Sequence, residues 1–187
     1  MNYEVKELGD IEIDVLDGDR GKNYPHQNEL LDEGDCVFLS ANNVTSSGFK
    51  FDSVVYITAE KDRILRNGKL QRNDIVITTR GTVGNVALYD DTVRFDSVRI
   101  NSGMLIVRCK EGVDSKYLYN VLRSVAFLRQ IKQIQTGTAQ PQLPKSHFLK
   151  MTINLPPVEI QKQIASVIGS IDDKISCNEE INDNLAA

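Results

Sequence analysis

Up to Cys109 the apolar residues come in short β-prone runs separated by turn chemistry. The stretches CVFLSA, SVVYIT, DIVITT, NVALYD and SGMLIVRC are rich in Val, Ile, Tyr and Thr, with Gly, Asn and Asp between them, which predicts a series of short strands. Ahead of them, LDGDRGKNYPH packs two glycines, two aspartates and a proline together and reads as an unusually polar loop. From Asp114-Ser115 the period lengthens, because Leu118, Val121, Leu122, Val125, Leu128 and Ile131 fall on one helical face. That spacing predicts one helix, capped by Asp114 or Ser115 and stopped at Gly137. The stretch TGTAQPQLPKSHF then reads as a polar loop, LKMTINL as a last strand, and Pro156-Pro157 as the break before a final helix. The order predicts a mixed, sheet-rich α+β domain with packed helices over residues 1–155, and a long C-terminal helix over 156–187.

In the final helix Ile160, Ile164, Val167, Ile171, Asn178, Ile181 and Leu185 take alternating heptad spacings. Lys174 fills the remaining seam position, and Ile168 and Ile175 widen the stripe. A β-branched seam with a polar residue at one core position is how a coiled coil gives up stability to fix its register. A stripe of this kind also serves to cover a helix's own domain. Two features favour a partner helix: the stripe runs on without a cap, and Lys174 and Asn178 are poor residues to bury on an ordinary core face.

Composition changes this picture little, but charge changes it more. With 41% hydrophobic residues in 187, the chain can bury one ordinary core. No signal-peptide pattern opens it and no apolar stretch approaches the roughly 20 residues that span a bilayer, so a cytoplasmic protein without a membrane partner is expected. Cys36, Cys109 and Cys177 are odd in number and far apart, which suggests neither a disulfide framework nor a metal site but buried or inert thiols. The net charge of −4 argues against nucleic acid until it is divided along the chain. Residues 1–60 carry −9, 61–110 carry +5, 111–150 carry +4 and 151–187 carry −4. The middle of the chain can therefore present a basic face to phosphates, unless folding intersperses the charges.

Three segments gather side chains that read bases or hold phosphates. DGDRGKNYP offers Arg20, Lys22, Asn23 and Tyr24; TTRGTVGN offers Thr79, Arg80, Thr82 and Asn85; TGTAQPQLPK offers Thr138, Gln140, Gln142 and Lys145. Arg suits guanine O6/N7, Asn and Gln suit adenine N6/N7, and Thr and Lys suit phosphate oxygens. Each loop taken alone is also an ordinary polar turn. RGTVGN is no phosphate loop, since it lacks the GxxxxGK[ST] spacing and no helix is expected after it. His26 and His147 are the only histidines, and neither has a Cys, Asp or Glu at metal-ligand spacing, so neither a catalytic nor a metal site is expected.

In this order the segments resemble the specificity (S) subunit of type I restriction-modification systems. VKELGDI, CVFLSANNV, LQRNDIVITTRGTVGNVAL and INSGMLIVRC resemble its successive strands and Gly-rich turn. The most specific stretch is IQTGTAQPQLPKSHFLKMTINLPPVEIQKQIASVIGSIDDKI, which resembles the family's boundary between target recognition domain and spacer helix. The resemblance implies that residues 1–155 are a target recognition domain reading one half of a split DNA sequence, and that residues 156–187 belong to a spacer that pairs antiparallel and docks methyltransferase (M) subunits. It further implies that S-adenosylmethionine, ATP and magnesium are used only by partner subunits, the M subunits and the restriction/motor (R) subunits, and that this chain performs no chemistry. S subunits usually carry two such domains; this sequence has one, and its helix ends about 30 residues after the prolines, as expected of a half-subunit or a fragment.

Three functions compete at this point. The first is a DNA-recognition module acting through the three loops. The second is a helical assembly factor that self-associates without reading DNA, and the third is a small-molecule site in the polar loops. The shortage of histidine and the lack of an acid/base constellation weigh against the third.

Overall fold

A computed structural model of the chain describes residues 3–135 and 141–186. Its centre is a four-stranded antiparallel sheet in the order β2 (Ile13–Asp17), β10 (Met104–Cys109), β7 (Asp74–Thr78), β8 (Val86–Tyr89). One face of it packs on a second sheet, β6 (Val55–Ile57), β3 (Cys36–Leu39) and β9 (Val98–Ile100), in which β3 and β9 run parallel. The other face packs on helices. Along β7, Ile75 and Ile77 point to the helices while Val76 points to the second sheet; along β10, Leu105 and Val107 oppose Met104 and Ile106 in the same way. Burial on both faces explains why DIVITT and SGMLIVRC are nearly continuous apolar runs rather than alternating ones.

The helix expected from Asp114 is two helices, α2 (Ser115–Leu122) and α3 (Val125–Gln135). The Asp114 carboxylate caps α2 by accepting from Tyr117 N at 2.8 Å, and Arg123 N closes its last turn on the Tyr119 carbonyl. Ser124 then opens α3, its Oγ accepting from Phe127 N at 3.2 Å. The break turns the apolar stripe: Phe127 and Ile131 are buried, while Val125, assigned to the buried face by periodicity, is 66% exposed. The expected stop at Gly137 lies outside the described residues. Nor is the TGTAQPQLPKSHF segment wholly loop, because Lys145–Phe148 forms a helical turn (α4) that buries Phe148 against Phe127.

A short ribbon of β1 (Val5–Glu7) and β11 (Thr152–Asn154) closes the domain, with Val5 opposite Asn154. Pro156-Pro157 follows at once, and α5 (Val158–Ala186) leaves from there as a helix of 29 residues. Its first turns pack on the domain through Gln161 and Ala165, both buried, and through Ile164 and Ile168, which face an apolar groove of about 480 Å³ beside α2 and the β1–β11 ribbon. Other members of the heptad stripe point away: Val167, Ile171, Ile175 and Ile181 are 50–63% exposed, and Lys174 and Asn178 are exposed as well. Ile160 is half-buried, and the Leu185 side chain lies outside the described ones. The helix thus uses one face on its own domain and keeps a second, apolar face free of it.

The thiols differ more than their common expectation as buried or inert groups. Burial pushes the Cys109 thiol up to about 12, with Asp114 and Asp74 adding to it, and burial raises Cys36 as well. Cys177 stands exposed on α5. A thiolate-directed reagent at pH 8 is therefore expected to titrate one thiol per folded chain, Cys177, and three after unfolding. Ellman titration with and without urea checks this, and rapid reaction of all three in the folded chain would contradict it.

Candidate nucleic-acid interface

The three polar segments converge. Asp17, Arg20, Thr79, Arg80, Gln142, Lys145 and Ser146 line one cleft of about 320 Å³, together with Leu105, Leu143 and Pro144. Backbone ladders hold the loops in place. Thr79 N and Arg80 N both donate to the Gly103 carbonyl, at 2.8 and 3.2 Å, and Leu143 N donates to the Thr79 carbonyl at 3.0 Å. The turn from Thr78 to Asn85 closes on the buried Thr78 hydroxyl, which donates to the Thr82 carbonyl and accepts from Asn85 N at 3.0 Å. Gly84, at φ +94°, lets this turn lie against α3, where a Cβ would sit 3.1 Å from Ile131 Cδ1.

The unusual polarity of the first loop has a structural cause. Asp19 is buried and accepts from Gly21 N at 2.7 Å and from Arg66 N at 2.8 Å. Burial alone would raise its pKa, but these backbone donors, with Asn67 N, outweigh burial and hold the carboxylate below its ordinary range. Gly18 permits the loop's closest approach to the strand edge: a Cβ there would lie 2.1 Å from the Asn101 carbonyl oxygen. Asp19 and Gly18 together press Arg20 toward the cleft, where its guanidinium donates to Asp17 Oδ1 and to the Ser102 carbonyl, each at 3.2 Å.

Of the twelve loop residues expected at DNA, Arg20, Thr79, Arg80, Gln142 and Lys145 share the cleft. Arg80 and Gln142 are exposed there, with no side-chain hydrogen bond to another described residue, whereas Lys145 Nζ is engaged by the Val15 carbonyl. Lys22 and Thr82 are exposed outside it. Three others are committed to the fold. Asn23 Nδ2 donates to the Ile64 carbonyl at 3.4 Å, and Tyr24 packs edge-on against Phe38 at 5.7 Å. Asn85 Nδ2 donates to the Val44 carbonyl at 2.9 Å, tying the turn to the hairpin of β4 (Val44–Thr45) and β5 (Gly48–Phe49). Thr138 and Gln140 lie outside the described residues. Sequence reasoning missed Asp17, since an acidic side chain runs against a search for phosphate partners; its spacing of three from Arg20 was the available signal. A carboxylate in the cleft can accept from a cytosine amino group, so the lining holds both donors and an acceptor for base edges.

Among the described residues no helix is long and apolar enough to cross a membrane, and no three His, Cys, Asp or Glu side chains are placed to hold a metal.

The chain is a domain of strands with three polar loops gathered at one cleft, followed after a double proline by a long helix. The family model for the type I restriction modification DNA specificity domain matches residues 1–187, and the chain belongs to that family. It is 29% identical over 114 residues to the MjaIX specificity subunit of Methanocaldococcus jannaschii, an alignment covering 61% of this chain and 25% of that protein. Its fold is similar to that of the HsdS subunit from Thermoanaerobacter tengcongensis, at a TM-score of 0.65 and 16% identity, covering 96% of this chain and 40% of that one. A chain solved in a study of complex assembly and conformational transition of the type I R-M system matches at a TM-score of 0.70 and 16% identity, over 98% of this chain and 42% of its own length. The chain thus spans less than half the length of each of these relatives.

Proposed function

We propose that the chain is a DNA-recognition module of a type I restriction-modification complex, reading one half of a split target through the cleft and docking M subunits. The observation that carries this reading is the meeting of Arg20, Arg80 and Gln142, from three segments far apart in sequence, in a single cleft. Arg80 and Gln142 are exposed and make no side-chain hydrogen bond to another described residue, which suits groups that must turn to a base edge. The exposed apolar face of α5, through Val167, Ile171, Ile175 and Ile181, supports a helical partner, either a spacer helix from a second recognition domain or the α5 of a second copy. Antiparallel self-pairing would put two identical recognition domains at opposite ends and specify a palindromic split site. In this reading S-adenosylmethionine, ATP and magnesium belong to the M and R subunits, and this chain carries no chemistry of its own.

The overall charge of −4 opposes phosphate binding, so the isolated chain is expected to bind duplex DNA weakly and the complex with M subunits tightly. Mapping methylated adenines in the source genome before and after deletion of this chain's gene tests the function. Disappearance of one split motif is the expected result. An unchanged methylation pattern, or tight sequence-specific binding by the chain alone at physiological salt, contradicts the reading.

A further inference from the structure

We propose that Gln161 is a positioning residue: it fixes the angle at which α5 leaves the domain and so selects how many base pairs separate the two half-sites. This rests on the function proposed above.

Gln161 is 1% exposed, which is unusual for an amide on a helix that is otherwise half in solvent. The hydrogen bonds of its side chain all go to backbone groups around the helix start, two in the segment before α2 and one in the linker. Its Oε1 accepts from Asp114 N, the cap of α2, at 2.9 Å. Its Nε2 donates to the Gly112 carbonyl, between β10 and α2, at 3.1 Å, and to the Pro156 carbonyl in the linker at 2.8 Å. Apolar contacts such as that of Ala165 resist separation but are non-directional, whereas three hydrogen bonds to fixed backbone groups also resist rotation. Farther along, Asp172 pairs with Arg123, which caps the end of α2, at 3.0 Å, and it is the last α5 residue with a hydrogen bond to the domain among the described residues.

The lever makes this stiffness consequential. From Gln161 to Ala186 the helix runs about 38 Å, so a tilt of about 5° at the joint moves its tip by about 3 Å, close to the rise of about 3.4 Å for one base pair. A joint that must count base pairs has to hold within a few degrees, and the buried amide is the directional element in it.

The test uses the chain assembled with its M subunits and a DNA library in which the half-sites are separated by spacers of every length over about one helical turn. The wild type is expected to methylate one spacer length preferentially. Gln161→Leu, which keeps the volume and removes the three hydrogen bonds, is expected to lower the preference for that length over its neighbours about ten-fold while the half-site sequences stay the same. Arg123→Ala, which loosens the exposed end of the joint and spares the core, gives a smaller change in the same direction and serves if the leucine variant folds poorly. Ile168→Ala, which trims packing alone, leaves the preference unaltered. In parallel, nitroxide labels at Cys177 and at Asp91→Cys, a position 99% exposed, report the distance between helix and domain, and its distribution is expected to widen in Gln161→Leu. An unchanged spacer preference in Gln161→Leu, or a loss of methylation uniform over every spacer in a variant that folds and assembles as the wild type does, overturns the inference. A wild-type complex that methylates no split target defeats the proposed function instead, and the label distances still decide whether Gln161 holds the joint.

Discussion

Arg80→Ala is expected to cost about 1–3 kcal/mol of discrimination at one base pair of the target, roughly 5- to 150-fold, while leaving the other positions read as before. The Arg80 backbone is pinned to Gly103, and its exposed side chain makes no hydrogen bond to another described residue. Arg20, by contrast, must first let go of Asp17 and Ser102, and Lys145 of Val15. Arg80→Lys separates two roles for the charge. At a base edge lysine cannot reproduce the bidentate fork, so it discriminates nearly as badly as alanine; at a phosphate it substitutes well. Methylation of a library of target variants gives the readout. If Arg80→Ala weakens all targets equally and lowers the salt slope by about one, Arg80 holds a phosphate and the base reading lies with its neighbours.

The largest expected effect on stability comes from Asp62 in α1 (Ala59–Ile64). Its carboxylate accepts from Lys69 Nζ at 2.6 Å and from Arg99 Nε at 2.8 Å, and the Arg99 side chain is only 5% exposed. Arg99 also donates to the carbonyls of Asn67 and Asp62, so one guanidinium joins β9, α1 and the segment after it. Asp62→Ala leaves that guanidinium buried without its counter-charge and is expected to cost about 3–5 kcal/mol, measured as a drop in the urea midpoint. Burial by itself would raise the Asp62 pKa, but hydrogen bonds and charge from Lys69 and Arg99 outweigh it and hold the carboxylate below its ordinary range. A depressed pKa in the folded state means that Asp62 contributes fully above the ordinary carboxylate value of about 3.9, and that the contribution fades as pH falls from there through the folded value. The gap between wild type and Asp62→Ala should therefore narrow on acidification below about pH 4. A gap independent of pH across that range would show that packing, not charge, is what Asp62 supplies.

Much of the architecture could be read from pattern. The strand runs, the polar breaks, the helical period after Asp114 and the double proline each became an element or a boundary near the expected place. Periodicity could not show the break at Arg123-Ser124, because Leu118, Val121, Leu122, Val125, Leu128 and Ile131 satisfy one continuous stripe. The break comes at Ser124, which helix propensity does not set apart from Val125 beside it but which caps a new helix once the chain turns. Residue type pointed to loops that meet in one cleft, but not always to side chains left exposed there. Asn23, Tyr24 and Asn85 are as suited to DNA as Gln142, yet each meets a partner 14 to 41 positions away in sequence, which spacing does not reveal. Gln161 shows the same limit in reverse: inside a heptad pattern it is an ordinary polar position, and only the structure shows it buried and bonded to three backbone groups.

The β1–β11 ribbon has a consequence for how such a protein can change. Val5 and Asn154 face each other, so the chain enters and leaves the domain at one spot, beside the root of α5. Everything between those two residues forms a closed loop of chain that can be replaced as a cassette, provided the incoming piece offers a carbonyl where Gly112 does and an N–H where Asp114 does. On the function proposed above, such an exchange changes the half-site that is read and leaves the spacing between half-sites as it was.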